Sequence, residues 1–274
     1  MIDSHLHFWQ YSADEYPWIR GDLAPIAKDM LPKDLCPQLT DNIDGIIAVQ
    51  ARPCAAENDY LNHIAQQYEL IKGIVGWFDF ERDADKQLEV FKCNPKIKGF
   101  RHMLQDEKNP SAYMTHHKGF NAGVEKIQQA ELLYGVLIHQ KDLDAAVQFC
   151  QRHDRYELVV DHLAKPQMYS KAGFECWLKM MQRIVPLKHV NLKISGLVTE
   201  GGPDCKAEDF QAHLDVVLEL FGPERLVWGS DWPVSYATHS YTQLMDFWQQ
   251  WSRGWSDSER LQVESGTAQR LYKL

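Results

Sequence analysis

Near its start the chain reads Ile2-Asp3-Ser4-His5-Leu6-His7-Phe8-Trp9, two imidazoles separated by one residue. Side chains two apart on a strand share a face, so His5 and His7 can converge on one metal ion or one substrate oxygen. Alone, this spacing fits a pair of core histidines at least as well. Other short apolar runs end in similar groups: Arg101 and His102 in Gly99-Phe100-Arg101-His102, His139 after Val136-Leu137-Ile138, His162 after Val160-Asp161, and Asp231 in Gly229-Ser230-Asp231-Trp232-Pro233. A carboxylate to take a proton from water, imidazoles to bind a cation or polarise a carbonyl, and a guanidinium fork for a carbonyl or carboxylate are the parts of a hydrolytic site. Taken singly, Asp231 also fits a helix cap and Arg101 a rim ion pair; their joint recurrence at strand ends favours chemistry.

The elements that must position these groups follow from hydrophobic periodicity. Eight apolar, β-branched-rich runs, at 2–9, 45–50, 71–80, 97–104, 133–140, 158–163, 190–197 and 225–231, read as strands. Most are separated by helical patterns, at 57–69, 84–92, 121–131, 143–153, 174–185 and 208–221, which is the alternation of βαβ units. Ile46-Ile47-Ala48-Val49 and Leu158-Val159-Val160 are continuous apolar runs, as in parallel strands buried on both faces. Eight such units predict a (β/α)8 TIM barrel, whose active site lies at the C-terminal ends of its strands. The rival, an open doubly wound sheet, calls for a glycine-rich phosphate loop after the first strand, and none is present. Two long excursions after strand ends, 10–37 and 105–119, are expected to wall the site.

The 274 residues suit one barrel of about 250 residues, so 1–274 is predicted to be a single domain. With 45% hydrophobic and 24% charged residues the composition is that of a globular protein, and a net charge of −9 argues against nucleic acid as a partner. No apolar run approaches the roughly 18 residues of a membrane span, so the expected partner is a small molecule. Cys36, Cys54, Cys93, Cys150, Cys176 and Cys205 form no C-x-x-C pair and are expected to be free thiols. Ile2-Asp3-Ser4-His5 after Met1 is unlike a secretory leader, which predicts a cytoplasmic location. Oligomeric state leaves no signal.

Further runs carry a family resemblance: Tyr16-Pro17-Trp18, Ile74-Val75-Gly76-Trp77-Phe78-Asp79, Asp161-His162-Leu163-Ala164-Lys165-Pro166, Lys193-Ile194-Ser195-Gly196-Leu197 and the segment from Phe221 to Val234. With the histidine pair and Lys98-Gly99-Phe100-Arg101-His102, they resemble, along essentially the whole chain, the amidohydrolase superfamily, in the amidohydrolase-2 branch of sugar-acid lactone hydrolases. The resemblance implies a distorted amidohydrolase-type barrel that opens a sugar lactone of the L-fucono- or L-rhamnono- kind, with Asp231 activating water. His5 and His7 would bind a metal or polarise the carbonyl, Arg101 and His102 would engage a carboxylate or carbonyl, and His139 and His162 would complete the pocket. Lys165 is expected to reach an anionic group, and Trp18 and Trp232 to face the sugar ring, with Trp77 left to the core.

Binuclear relatives carry a bridging carboxylated lysine or a glutamate at the end of strand four. Arg101 and His102 stand there instead, and a cation cannot bridge two divalent ions. The expectation is no required metal, or one divalent ion, best zinc, on His5, His7 and Asp231. Ser265-Gly266-Thr267-Ala268 departs from the family's Gly-Asn-Ala, with Thr267 expected to cap the last helix. His63, His153, His189, His213, His116 and His117 are given no site role. Two other functions fit the same skeleton: a metal-dependent decarboxylase, and a barrel that binds a sugar acid without catalysis.

Overall fold

In the computed structural model, which describes residues 1–40 and 42–274, eight parallel strands follow one another in sequence order. They are β1 (Ile2–Leu6), β2 (Gly45–Val49), β3 (Ile71–Gly76), β4 (Ile97–His102), β5 (Leu133–Val136), β6 (Leu158–Val160), β7 (Val190–Ile194) and β8 (Leu226–Trp228). The sheet closes on itself after β8. Ser4 Oγ donates to the Trp228 carbonyl at 2.5 Å. Asp231 N donates to the His5 carbonyl at 2.8 Å, and His7 N to the Trp232 carbonyl at 2.7 Å. The result is the expected (β/α)8 barrel.

Burial on both strand faces explains the apolar runs. Every residue of β2 is buried. Ile46 and Ala48 join the large core that packs against the helices. Ile47 and Val49 meet Val75, Val159 and Val227 in a separate inner cluster, closed by Leu271 and Tyr272 of the last helix, Thr267–Tyr272. Each such buried side chain contributes roughly 1.5–3 kcal/mol. Two residues beyond these positions the inner face turns polar: Val159 is followed by Asp161, and Gly99 by Arg101. Gly135, opposite Arg101 in the ladder, has no side chain to crowd it; a Cβ there would lie 3.3 Å from Arg101 Cγ.

Several boundaries differ from the sequence expectation. β5, β6 and β8 stop early, because the chain turns into 3-10 segments such as Gln140–Asp142 and Asp161–Ala164 where polar groups begin. Both excursions contain short helices, including Gly21–Ile26 and Pro110–His116. A helix absent from the sequence reading, Tyr241–Trp251, starts at a capping box of Ser240 and Gln243. Thr267 does not cap the last helix: a π-type turn at Gln262–Gly266 runs straight into it, and Thr267 Oγ1 donates to the Pro223 carbonyl at 2.9 Å. All six cysteines are free. Among the described residues no helix is long and apolar enough to cross a membrane.

His213, on the helix Glu208–Phe221, packs edge-on against Phe174 and Trp177, and neither ring nitrogen has a partner. Burial pushes its pKa down to about 4. Unfolded, it titrates near 6.5, so between pH 6.5 and 4 the unfolded chain binds a proton that the folded one refuses. Stability is therefore fully kept above pH 6.5 and falls by up to about 1.4 kcal/mol per pH unit as the pH drops towards 4. Denaturant titrations across this range should show a shallower pH slope for His213→Phe than for the wild type. Equal slopes would reject this role for His213.

Candidate active site

His5 is fully buried near the end of β1, and His7 lies just beyond the strand. His7 Nδ1–H donates to the Val49 carbonyl at 2.8 Å, which turns Nε2 towards Asp231 Oδ1, 3.4 Å away. A proton or a cation between them would satisfy both. His5 Nε2 lies 3.6 Å from the same oxygen. Asp231 follows β8 in a left-handed conformation, with φ of 58°. Burial works to raise its pKa, but the neighbouring His162, the His7 contact and His5 outweigh burial and hold the carboxyl below the usual carboxylate range.

His162 reaches the same centre from β6. It begins four consecutive non-glycine residues with positive φ, His162 through Lys165. Left-handed backbone costs roughly 1–2 kcal/mol per such residue, and strain of this kind concentrates where function requires it. The turn presents both His162 and Lys165 to one cavity. His162 Nδ1 is 2.8 Å from Ser195 Oγ, and burial lowers its pKa to about 4, so the ring is neutral at pH 7. Gly196 makes room for it: its φ is +64°, and a Cβ would fall 2.6 Å from His162 Nδ1.

Below these groups lies an ion cluster. Asp161 Oδ1 is 3.0 Å from Lys193 Nζ, and Asp161 Oδ2 is 3.2 Å from Arg101 NH1, all fully buried or nearly so. Burial works to raise the Asp161 pKa, but the two cations Lys193 and Arg101 override it and keep the carboxyl ionised. Arg101 NH2 donates to the Gln50 carbonyl at 2.7 Å, and its NH1 also lies 3.2 Å from His5 Nε2. Lys193 Nζ is 3.1 Å from His5 Nδ1. Burial, reinforced by Lys193, pushes the His5 pKa well down, so the ring between the two cations is neutral. Two carboxylates, Asp161 and Asp231, thus balance two fixed cations, Arg101 and Lys193.

The cavity above has a volume of about 290 Å³, at the small end for ligand pockets. His7, Arg101, His162, Lys165 and Asp231 line its floor and side, and Trp18, whose Nε1 donates to the Ala51 carbonyl at 3.1 Å, forms part of the wall. Leu23, Met103, Leu137 and Val234 supply an apolar side. Lys165 Nζ stands 3.7 Å from Glu200 Oε1.

The structure does not bring three expected residues here. His102 points to the other face of β4, where its Nε2 meets Glu107 Oε1 at 2.6 Å and its ring stacks on Tyr113. Consecutive strand residues cannot both face inward, and Arg101 takes that side. Trp232, the neighbour of Asp231, is fully buried against Phe8 and lines no part of the cavity. His139 lies in an adjoining cleft with Gln140 and Lys141, which shares Lys165 with the cavity. Conversely, Asp161 and Lys193 were missed as site residues. Lys193 carried a signal, since a lysine in the apolar run of β7 is seldom buried without a partner.

The donors fit one divalent ion. Among the described residues His5, His162 and Asp231 are the set whose ligand atoms lie within 4.8 Å of one another, so His162 takes the place that spacing gave to His7. Two imidazoles and a carboxylate match the chemistry of an open zinc site. Asp161, paired with two cations, is not free to bridge a second ion.

The comparisons agree with this geometry. The model of the Amidohydrolase family matches residues 2–274. An L-fucono-1,5-lactonase of Burkholderia multivorans is 36% identical over all of this chain and 96% of its own length. An L-fucono-1,5-lactonase of Burkholderia ambifaria is 30% identical over all of this chain and 95% of its own length. A crystal structure of a Burkholderia multivorans amidohydrolase with bound zinc, 36% identical, superposes with a TM-score of 0.93 over all of this chain and 99% of that one. The barrel, the residues gathered at its mouth and the full-length family match lead to one conclusion: the chain belongs to the amidohydrolase family.

Proposed function

We propose that this protein hydrolyses a sugar-acid 1,5-lactone of the L-fucono- type to the free acid, with Asp231 as the base. The observation that carries this reading is a buried Asp231 carboxylate, flanked by His7 and His5 and sharing a sugar-sized cavity with Arg101. The two lactonase relatives support the substrate class. Water adds to the carbonyl carbon as Asp231 takes its proton. The oxyanion needs a donor, and Arg101 Nε–H is buried without a protein partner while the other guanidinium nitrogens are engaged. When the ring C–O bond breaks, Asp231 returns the proton to the departing alkoxide, leaving the hydroxy acid. Neutral His162 keeps its place beside Asp231 through Ser195, and His7 through Val49. Where a divalent ion is bound, His5, His162 and Asp231 would hold it, and it would add Lewis-acid polarisation of the carbonyl.

A pH-indicator assay over L-fucono-, L-rhamnono- and galactonolactones, run with and without chelator, tests the proposal. Opening of at least one 1,5-lactone well above the buffer rate is expected. Absence of turnover on the whole panel, with metal supplied, would overturn it.

A further inference from the structure

Besides Arg101 Nε, two polar atoms of residues in the cavity wall have no partner in the protein. Gln105 Oε1 and Thr199 Oγ1 are both buried, both unpaired, and both belong to residues lining the same cavity as Asp231. A buried polar atom without a partner costs roughly 1–3 kcal/mol, so native chains seldom leave one without reason. Thr199 lies within the short helix Leu197–Gly201, where a threonine hydroxyl usually bonds back to a carbonyl one turn earlier. Here it does not. Gln105 sits in the 3-10 segment Leu104–Asp106 after β4, and its backbone N–H, but not its side-chain oxygen, is satisfied by the Leu137 carbonyl at 3.1 Å.

The two residues come from loops after β4 and β7, three places apart around the barrel, so they address different parts of a bound molecule. Gln105 Oε1 can only accept a hydrogen bond, and Thr199 Oγ1 can both donate and accept. A ligand that completes both presents at least two hydroxyl groups, separated across one ring. Leu23, Met103, Leu137 and Val234 also line the wall and can take an apolar substituent, alongside the charged Arg20 and Asp106.

We infer that Gln105 and Thr199 are the residues that recognise substrate hydroxyls, selecting a polyhydroxylated ring lactone over an unsubstituted one, an inference that rests on the lactonase reading above. Neither takes part in moving protons, so both act through binding. A site built to hydrogen-bond a hydroxyl rejects the analogue that lacks it, because its own polar atom is then left unpaired.

The test compares wild type with Thr199→Val, Thr199→Ser and Gln105→Leu on L-fucono-1,5-lactone and on unsubstituted δ-valerolactone. Thr199→Val and Gln105→Leu should each raise KM for the sugar lactone about tenfold while kcat stays within about threefold. Thr199→Ser, which keeps the hydroxyl, should stay near wild type, and the preference over δ-valerolactone should shrink in the first two variants. Wild-type KM and preference in both would overturn the inference. If the wild type opens no lactone, the functional reading fails, and calorimetry with L-fuconate decides separately. Binding by the wild type that weakens about tenfold in Thr199→Val and Gln105→Leu keeps the hydroxyl subsite. No binding, or equal affinities, removes it.

Discussion

Asp231→Asn is expected to lower kcat/KM for the lactone by roughly three to four orders of magnitude while leaving a cooperatively melting barrel. The amide keeps the shape of the side chain and its place between His7 and His5, 3.4 and 3.6 Å from its oxygen. It cannot take a proton from water, and nothing else in the cavity combines an ionised carboxylate with that position. His162 is neutral at pH 7, but its Nδ1 is tied to Ser195. The loss should therefore fall on kcat, with KM little changed, because the hydroxyl contacts are elsewhere. Steady-state kinetics with a parallel thermal melt checks both halves. A variant within tenfold of wild type would remove Asp231 from its role.

The second large effect is on stability. Asp161 is the sole carboxylate within salt-bridge reach of both Arg101 and Lys193 among the described residues, and all three are buried. Asp161→Asn leaves two buried cations facing a neutral amide. Breaking one side of a buried ion cluster typically costs about 3–5 kcal/mol. For a chain of this size that corresponds to a fall in melting temperature on the order of 10 °C at a fixed scan rate. Adding Lys193→Met should recover part of the loss, since the uncompensated charge is then removed. The double variant should thus be more stable than the sum of the single changes. An Asp161→Asn protein that melts with the wild type would show that the cluster is not held by charge pairing.

The barrel was legible because its strands are buried on both faces, which writes them as continuous apolar runs such as 46–49. The histidine pair was legible for the complementary reason: polar groups at several strand ends have little else in common. Legibility failed where facing had to be known residue by residue. Arg101 and His102 adjoin on β4, and alternation sends His102 away from the cavity, while Trp232, next to Asp231 beyond β8, is buried against Phe8. His162 was not among the expected metal ligands because it reaches Asp231 through a left-handed turn, a conformation that non-glycine residues do not announce. Asp161 and Lys193 escaped because their meaning lies in each other, 32 positions apart, and only the barrel brings them to 3.0 Å.

In the proposed reaction this cavity adds water to a lactone carbonyl with Asp231 as base. Mass spectrometry of the acid formed from L-fucono-1,5-lactone in heavy-oxygen water tests it directly. The wild type is expected to produce acid far faster than buffer, with one heavy oxygen in its carboxylate, and Asp231→Asn to give only the buffer rate. Acid formed no faster than in buffer, or label placed in the hydroxyl released from the ring instead of the carboxylate, would contradict it.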